Sequence, residues 1–183
     1  MVVLRCWSTM SFHPFARGCD RKKSSHGAFT LVELAVVVAI ISIVSAIAVP
    51  ATKNLIIAAR SDAVINDLRV FAAAFQTHVH EKGDWPPLGD GSGAIPPGME
   101  PYLRASNWTQ PSRIGGQYTW DRNILHQGYR YAAAISIRSV EGAPVSDNRN
   151  QLLDIDRKID DGNLETGNFI LGYRNYPVFV IEP

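Results

Sequence analysis

The chain has 183 residues, a formal net charge of +1 and two cysteines. That length suits one ordinary domain with appendages, and two cysteines do not make a disulfide framework. Charge is unevenly spread: residues 1–28 carry Arg5, Arg17, Arg21, Lys22 and Lys23 against Asp20, leaving a weakly acidic body without the basic footprint of a nucleic-acid binder.

Both cysteines, Cys6 and Cys19, fall in the basic leader, so a body freed of residues 1–28 has no thiol chemistry. The stretch FARGC places Arg17 where a lipoprotein signal needs an apolar run, and lipidation at Cys19 is not expected. Met10 offers a second start, with a shorter leader.

From Phe29 to Val49 every residue is apolar or small except Glu33. At ~1.5 Å per residue this segment makes a helix of about 31 Å, the thickness of a ~30 Å hydrocarbon core. Lipid demands a helix, because no water is there to satisfy the backbone. The cluster Arg21-Lys22-Lys23 just before it predicts a cytoplasmic N-terminus and a single pass, with the C-terminal part on the far side. An ordinary secretory signal is the alternative, since Ala46-Ile47-Ala48 fits a small-x-small cleavage pattern and would leave Val49 as the first residue. Against it stand the length of the apolar run and Glu33, whose carboxylate costs about 2 to 3 kcal/mol near a bilayer centre and less near its edge. An ionisable group inside such a segment calls for a partner.

The stretch FTLVELAVVVAIISIVSAIAVP resembles the N-terminal helix of type IV pilins and type II secretion pseudopilins. In that family a prepilin peptidase cuts just before the apolar segment, the new N-terminal Phe is methylated, a Glu is fifth and a Pro is twenty-second. With Phe29 first, Glu33 is fifth and Pro50 twenty-second. Ala28 stands where the family has Gly, and Gly27 precedes it. A cut between Ala28 and Phe29 keeps both offsets, whereas a cut after Gly27 shifts each by one. The resemblance implies that Glu33 meets the N-terminal amine of a neighbouring subunit in a filament, each charge relieving the other's cost in lipid. The partners it implies are other pilin or pseudopilin subunits, prepilin peptidase, an inner-membrane assembly platform and the bilayer. It also implies an α+β pilin-like fold: a leader 1–28, an assembly helix 29–49, an amphipathic helix 50–82 and a loop-and-sheet region 83–183.

Pro50 is expected to end or kink the first helical segment. Beyond it Val64, Leu68, Phe71, Phe75 and Val79 recur at helical spacing, Ile65 and Ala72 widen the stripe, and Lys53, Arg60, Asp62, Asp67 and Arg69 take other faces. Gly83 and Pro86-Pro87 stop this helix, so one long helix over about residues 30–82 is expected, beginning in lipid and ending as the spine of a soluble domain. His78 and His80 lie two apart, do not share a helix face, and read as solvated helix-end residues rather than a metal pair.

Residues 83–117 form a long connector rich in Gly and Pro. A short turn is expected at Met99–Arg104, and Trp85, Tyr102 and Trp108 are expected to pin the loop to the core rather than bind sugar. GDGSG lacks the strand and helix of a phosphate loop and fails the nucleophile-elbow spacing. Asn107-Trp108-Thr109 is a lone match to a glycosylation acceptor. Strands are expected at Gln117–Trp120 and Gly128–Ile137, and a hairpin in NFILGY and YPVFVI around Arg174-Asn175, with Pro177 at a strand start or edge. His126 stands isolated between strands, and no Ser/His/acid arrangement marks an enzyme.

A short helix with Leu152, Ile155 and Ile159 on its apolar face ends near Gly162. Asp160 and Asp161 then sit where the helix dipole disfavours anions. Arg157, Lys158 or water can compensate; a calcium ion on Asp160, Asp161, Asn163 and Glu165 is the sharper alternative, though the spacing is not that of an EF-hand. No other cofactor is expected. Two functions follow: a non-enzymatic filament subunit, as the resemblance implies, or a membrane-anchored or secreted module binding carbohydrate or calcium.

Overall fold

The computed structural model describes residues 30–103 and 108–183. The strands and α-helices that lie wholly among the described residues follow in the order α1 (Leu31–Lys82), β1 (Gln117–His126), β2 (Tyr129–Arg138), α2 (Arg149–Ile159), β3 (Phe169–Leu171) and β4 (Pro177–Glu182). This is the expected α+β arrangement: a long N-terminal helix followed by a small antiparallel sheet and a second helix. The chain divides into two compact units, one up to Ile43 and one from Val44 onward.

In the first unit the described residues are helical from Leu31, and every one of them is exposed. Exposed β-branched and Leu side chains without water-soluble company are what a bilayer or a greasy partner requires. Helix α1 holds a stretch long and apolar enough to cross a membrane.

Pro50 does not end α1; the helix runs on through it. Proline removes its own N–H, so the Ala46 carbonyl loses one donor, while Ala48 and Ala51 beside it favour the helix. Nearby, the Thr52 hydroxyl donates to the Ala48 carbonyl at 2.8 Å and the Ser42 hydroxyl to Val38 at 2.7 Å, the usual way such side chains satisfy themselves in apolar surroundings. At the other end Gly83, with φ +81°, donates its N–H to the Val79 carbonyl at 2.7 Å, a left-handed stop that a β-carbon would oppose.

The core of the second unit follows the helical stripe. Val64, Leu68, Phe71 and Phe75 are fully buried together with Tyr118, Trp120, Ile135, Ile137 and Phe169 of the sheet. The contact is an aromatic seam: Phe71 meets Tyr118 edge-on at 4.9 Å and Phe75 stacks on Trp120. The Tyr118 hydroxyl donates to Asp67 Oδ2 at 3.0 Å, so the ring's polar end is satisfied on leaving water.

The connector is pinned as expected. Trp108 is buried between Phe71 and Phe75, and its indole N–H donates to the Ala94 carbonyl at 2.7 Å. Trp120 reaches the Pro86 carbonyl at 3.0 Å. Met99 and Leu103 are buried in a turn where the Leu103 N–H donates to the Met99 carbonyl at 2.9 Å. The expected end of that turn at Arg104, and the glycosylation match at Asn107, lie outside the described residues, as does the whole leader with Cys6, Cys19 and Met10.

The predicted hairpin forms, and the two other expected strands pair as a second one. β1 pairs antiparallel with β2, Trp120 opposite Ile135, and β3 pairs antiparallel with β4 across a tight turn that holds Arg174 and Asn175 at φ 57° and 59°. The strand order is β1-β2-β4-β3, so Pro177 opens an interior strand at its first residue, where its missing N–H is tolerated. β1 extends well past the predicted Trp120, to His126. The extension carries polar residues, Asp121 and His126, on the sheet face away from the helix, and sequence alternation does not mark them as buried.

Helix α2 presents Leu152 and Ile155 to the core, with Ile159 partly buried beside them. Asn148 caps it, its side-chain oxygen accepting the Gln151 N–H at 3.3 Å. Lys158 ties it to α1 by bridging Asp62 at 2.9 Å and Asp154 at 3.0 Å.

Candidate functional site

The first site is the N-terminus of α1. Thr30 precedes the helix, and its hydroxyl oxygen accepts the Glu33 N–H at 3.2 Å. Thr30 and Glu33 therefore stand in the T-x-x-E relation of a capping box. The first turn is also where the positive end of the helix dipole favours a carboxylate. Glu33 thus has a local reason for its place in addition to any partner, and the TLVE spacing was the signal that sequence reading missed. Its side chain is exposed and forms no ion pair among the described residues. Pro50 lies inside the same helix. Gly27, Ala28 and Phe29, the expected processing residues, lie outside the described residues.

The second site is the end of α2. The Asp160 carboxylate turns back and accepts the N–H groups of Asn168 and Phe169, the latter at 3.2 Å. Asp161 accepts the Asn163 N–H at 2.8 Å and the Thr166 hydroxyl at 2.6 Å, and these bonds hold its carboxyl below the usual range. Backbone and hydroxyl donors, then, compensate the two anions at the helix end. Lys158, one expected compensator, is instead engaged with Asp62 and Asp154.

Asp156, one turn back, is the residue sequence reading passed over. It is fully buried, and neither carboxylate oxygen has a hydrogen bond among the described residues. Burial, then the Asp161 and Asp160 charges, push its carboxyl up to about 6. Asp156, Asp160 and Asp161 each bring an oxygen within 4.8 Å of the others. Calcium–oxygen distances of about 2.3–2.6 Å place ligand oxygens at such separations across one ion. The donor set, all hard oxygen with one buried member left unsatisfied, fits calcium. Of the four ligands expected from sequence, Asp160 and Asp161 belong to this cluster. The Asn163 side-chain oxygen accepts the Glu165 N–H at 3.2 Å, and Glu165 is exposed and outside the three-carboxylate group.

The remaining polar residues sort as follows. His80 is exposed, but His78 is not solvated as expected: it is buried edge-on against Tyr102, ring centroids 5.5 Å apart, where the connector folds over the helix end. His126 is not isolated. Its Nε2 lies 3.2 Å from Asp121 Oδ2, and Arg138 Nη2 donates to the other oxygen of the same buried carboxylate. Strand pairing creates this triad, because β1 and β2 run side by side and both carry polar residues on the face opposite the aromatic seam.

Residues 23–49 match the family model described as the prokaryotic N-terminal methylation motif. A comparison of the chain with curated proteins finds no match. The apolar segment is therefore a prepilin-type signal, of the kind carried by type IV pilins and pseudopilins, and the chain bearing it has a pilin-like α+β arrangement.

Proposed function

We propose that the chain is a structural subunit of a type II secretion pseudopilus or a type IV pilus-like filament. It is inserted in the bacterial inner membrane with its N-terminus cytoplasmic, cut by prepilin peptidase between Ala28 and Phe29, methylated on Phe29 and assembled through α1. It joins other subunits on an inner-membrane assembly platform and carries out no bond-making of its own. The observation that carries this reading is the methylation motif at residues 23–49 leading into a helix whose apolar residues 31–49 are all exposed, with Glu33 in its first turn. Filament contacts of this head-to-tail kind do not close on themselves and so propagate. Mass spectrometry of the N-terminus of the membrane-extracted protein tests it. An N-methylated Phe29 is expected; an unmodified Val49 overturns the reading in favour of an ordinary signal peptide.

Asp156 supports a second element of this reading, a calcium ion that secures the loop from Asp160 to Phe169. An ion there supplies the counter-charge that the buried carboxylate lacks. Calcium is expected to raise the melting temperature of the full chain and EDTA to lower it. Equal melting curves in the two conditions would remove calcium from the account while leaving the filament assignment standing.

A further inference from the structure

On the sheet face opposite the aromatic seam, where the His126 ring lies against Gly172 at the β3–β4 turn, is a cavity of about 400 Å³. Its basic lining residues are Arg138, Arg174 and His126, and no Asp or Glu lines it among the described residues. The one carboxylate beneath it, Asp121, is already engaged on both oxygens by Arg138 and His126. Asp121 therefore offsets a single positive charge. Arg174 has no carboxylate partner among the described residues. It is held in a left-handed turn residue at φ 57°, with its guanidinium 5.3 Å from the Tyr173 ring centroid. Buried His126 also keeps Nδ1 without a hydrogen-bond partner among the described residues. With Nε2–H donating to Asp121, that Nδ1 is an acceptor, so the cavity has an excess of about one positive charge and its donors to a ligand come from the Arg174 guanidinium.

The rim adds a second observation. Leu125 and Tyr173 line the cavity and stay 53% and 64% exposed, and Tyr129, paired in register with His126, is 71% exposed. Exposed apolar and aromatic side chains around a charged recess are the composition of a protein-binding patch. Hydroxyls of Ser139 and Tyr176 also line the cavity, and each can donate or accept, as an amide backbone requires.

We propose that this cavity captures a carboxylate presented on a peptide, with Arg174 as its principal fork and the aromatic rim holding the adjoining residue. A guanidinium pairs both oxygens of a carboxylate at once, and an excess near one unit charge matches a monoanion better than a dianionic phosphate. The proposal rests on the sheet alone and is independent of how the N-terminal segment is processed.

The test is a titration of the full chain, solubilised in detergent, followed by calorimetry or by NMR of the Arg174 and Tyr173 signals. Four probes separate the sources: acetyl-Ala-Ala-Tyr with a free C-terminus, the same peptide amidated, acetyl-Ala-Glu-Tyr-amide, and inorganic phosphate. Saturable binding is expected for the first or third probe, telling a chain end from an acidic side chain, and binding of the amidated peptide is expected to be at least about tenfold weaker. Arg174→Gln, an exposed turn substitution, should remove the binding without moving the melting temperature, and Arg174→Lys should restore it in part. The proposal is overturned if neither carboxylate peptide binds up to roughly 10 mM, if the amide binds as well as the acid, if phosphate binds more tightly than both, or if Arg174→Gln binds like the unaltered chain.

Discussion

Phe75 of the helix and Trp120 of the sheet lie ring on ring, their centroids 3.9 Å apart and their planes 9° from parallel. Phe75 is wholly buried and Trp120 nearly so, with Trp108 and Trp85 against their edges. This pair fixes the depth at which the helix sits on the sheet. Phe75→Ala should therefore cost about 3–5 kcal/mol, the range for a buried aromatic whose cavity cannot collapse. Urea unfolding measures it. A loss below about 1 kcal/mol would mean that the seam is not the organising contact.

The capping contact of Glu33 can be separated from the assembly role proposed for it. Thr30→Ala removes the cap on its N–H, a loss of about 1 kcal/mol at the helix end, and should leave filaments intact. Glu33→Gln keeps size and hydrogen bonding but removes the charge, and should abolish or disorder assembly while the subunit still enters the membrane. Electron microscopy of assembled material, with membrane fractionation as the control, distinguishes the two. Ordered filaments from Glu33→Gln would reduce Glu33 to a capping residue.

Asp156 makes stability depend on pH in a defined direction. Its carboxyl is raised in the folded chain from an ordinary 3.8 to about 6. The folded state therefore favours the protonated form: the contribution is fully present below about pH 4, and is lost as pH rises through about 6. Without calcium, the melting temperature should fall across that window on this residue's account. Asp156→Asn should flatten the fall and stabilise the metal-free chain at pH 7, and should also abolish any response to calcium. Thermal melts at several pH values in EDTA, with and without the substitution, check it; an unchanged pH profile in Asp156→Asn removes Asp156 as the source.

Gly116, at the entrance to β1, has φ +71°, and a β-carbon built there would fall 2.6 Å from the Arg138 carbonyl oxygen. Backbone cannot give way as a flexible side chain does. Gly116→Ala should destabilise by about 1–3 kcal/mol from the strained conformation and the crowded carbonyl together. Chemical denaturation gives the number, and a neutral result would show that the turn can rearrange.

The parts legible in the sequence were those governed by periodicity. The Val64–Phe75 stripe, the apolar segment opening on Glu33 and the hairpin around Arg174-Asn175 each repeat with the spacing of the element they form, so local order sufficed. The tryptophans of the connector were read correctly because a large ring with one N–H has few places to go other than a core edge. What escaped was created by pairing across distance. Asp121, His126 and Arg138 lie on two strands and become a triad only through the β1–β2 register. Asp156 carries no local signal of burial, and only packing seals it. Pro50, read as ending or kinking the first segment of one long helix, does not end it: the helix is continuous from Leu31 to Lys82. The TLVE cap was overlooked because the apolar run drew attention to lipid and away from the turn that precedes it.

The strand order β1-β2-β4-β3 has a consequence for biogenesis. β4 sits between its neighbours yet is the last of the four to be synthesised. Until Pro177–Glu182 arrive, β2 and β3 have no shared partner, and the growing polypeptide holds one hairpin with an open edge. Final closure of the sheet must wait for the last strand, and until then its open edges stay exposed to mispairing.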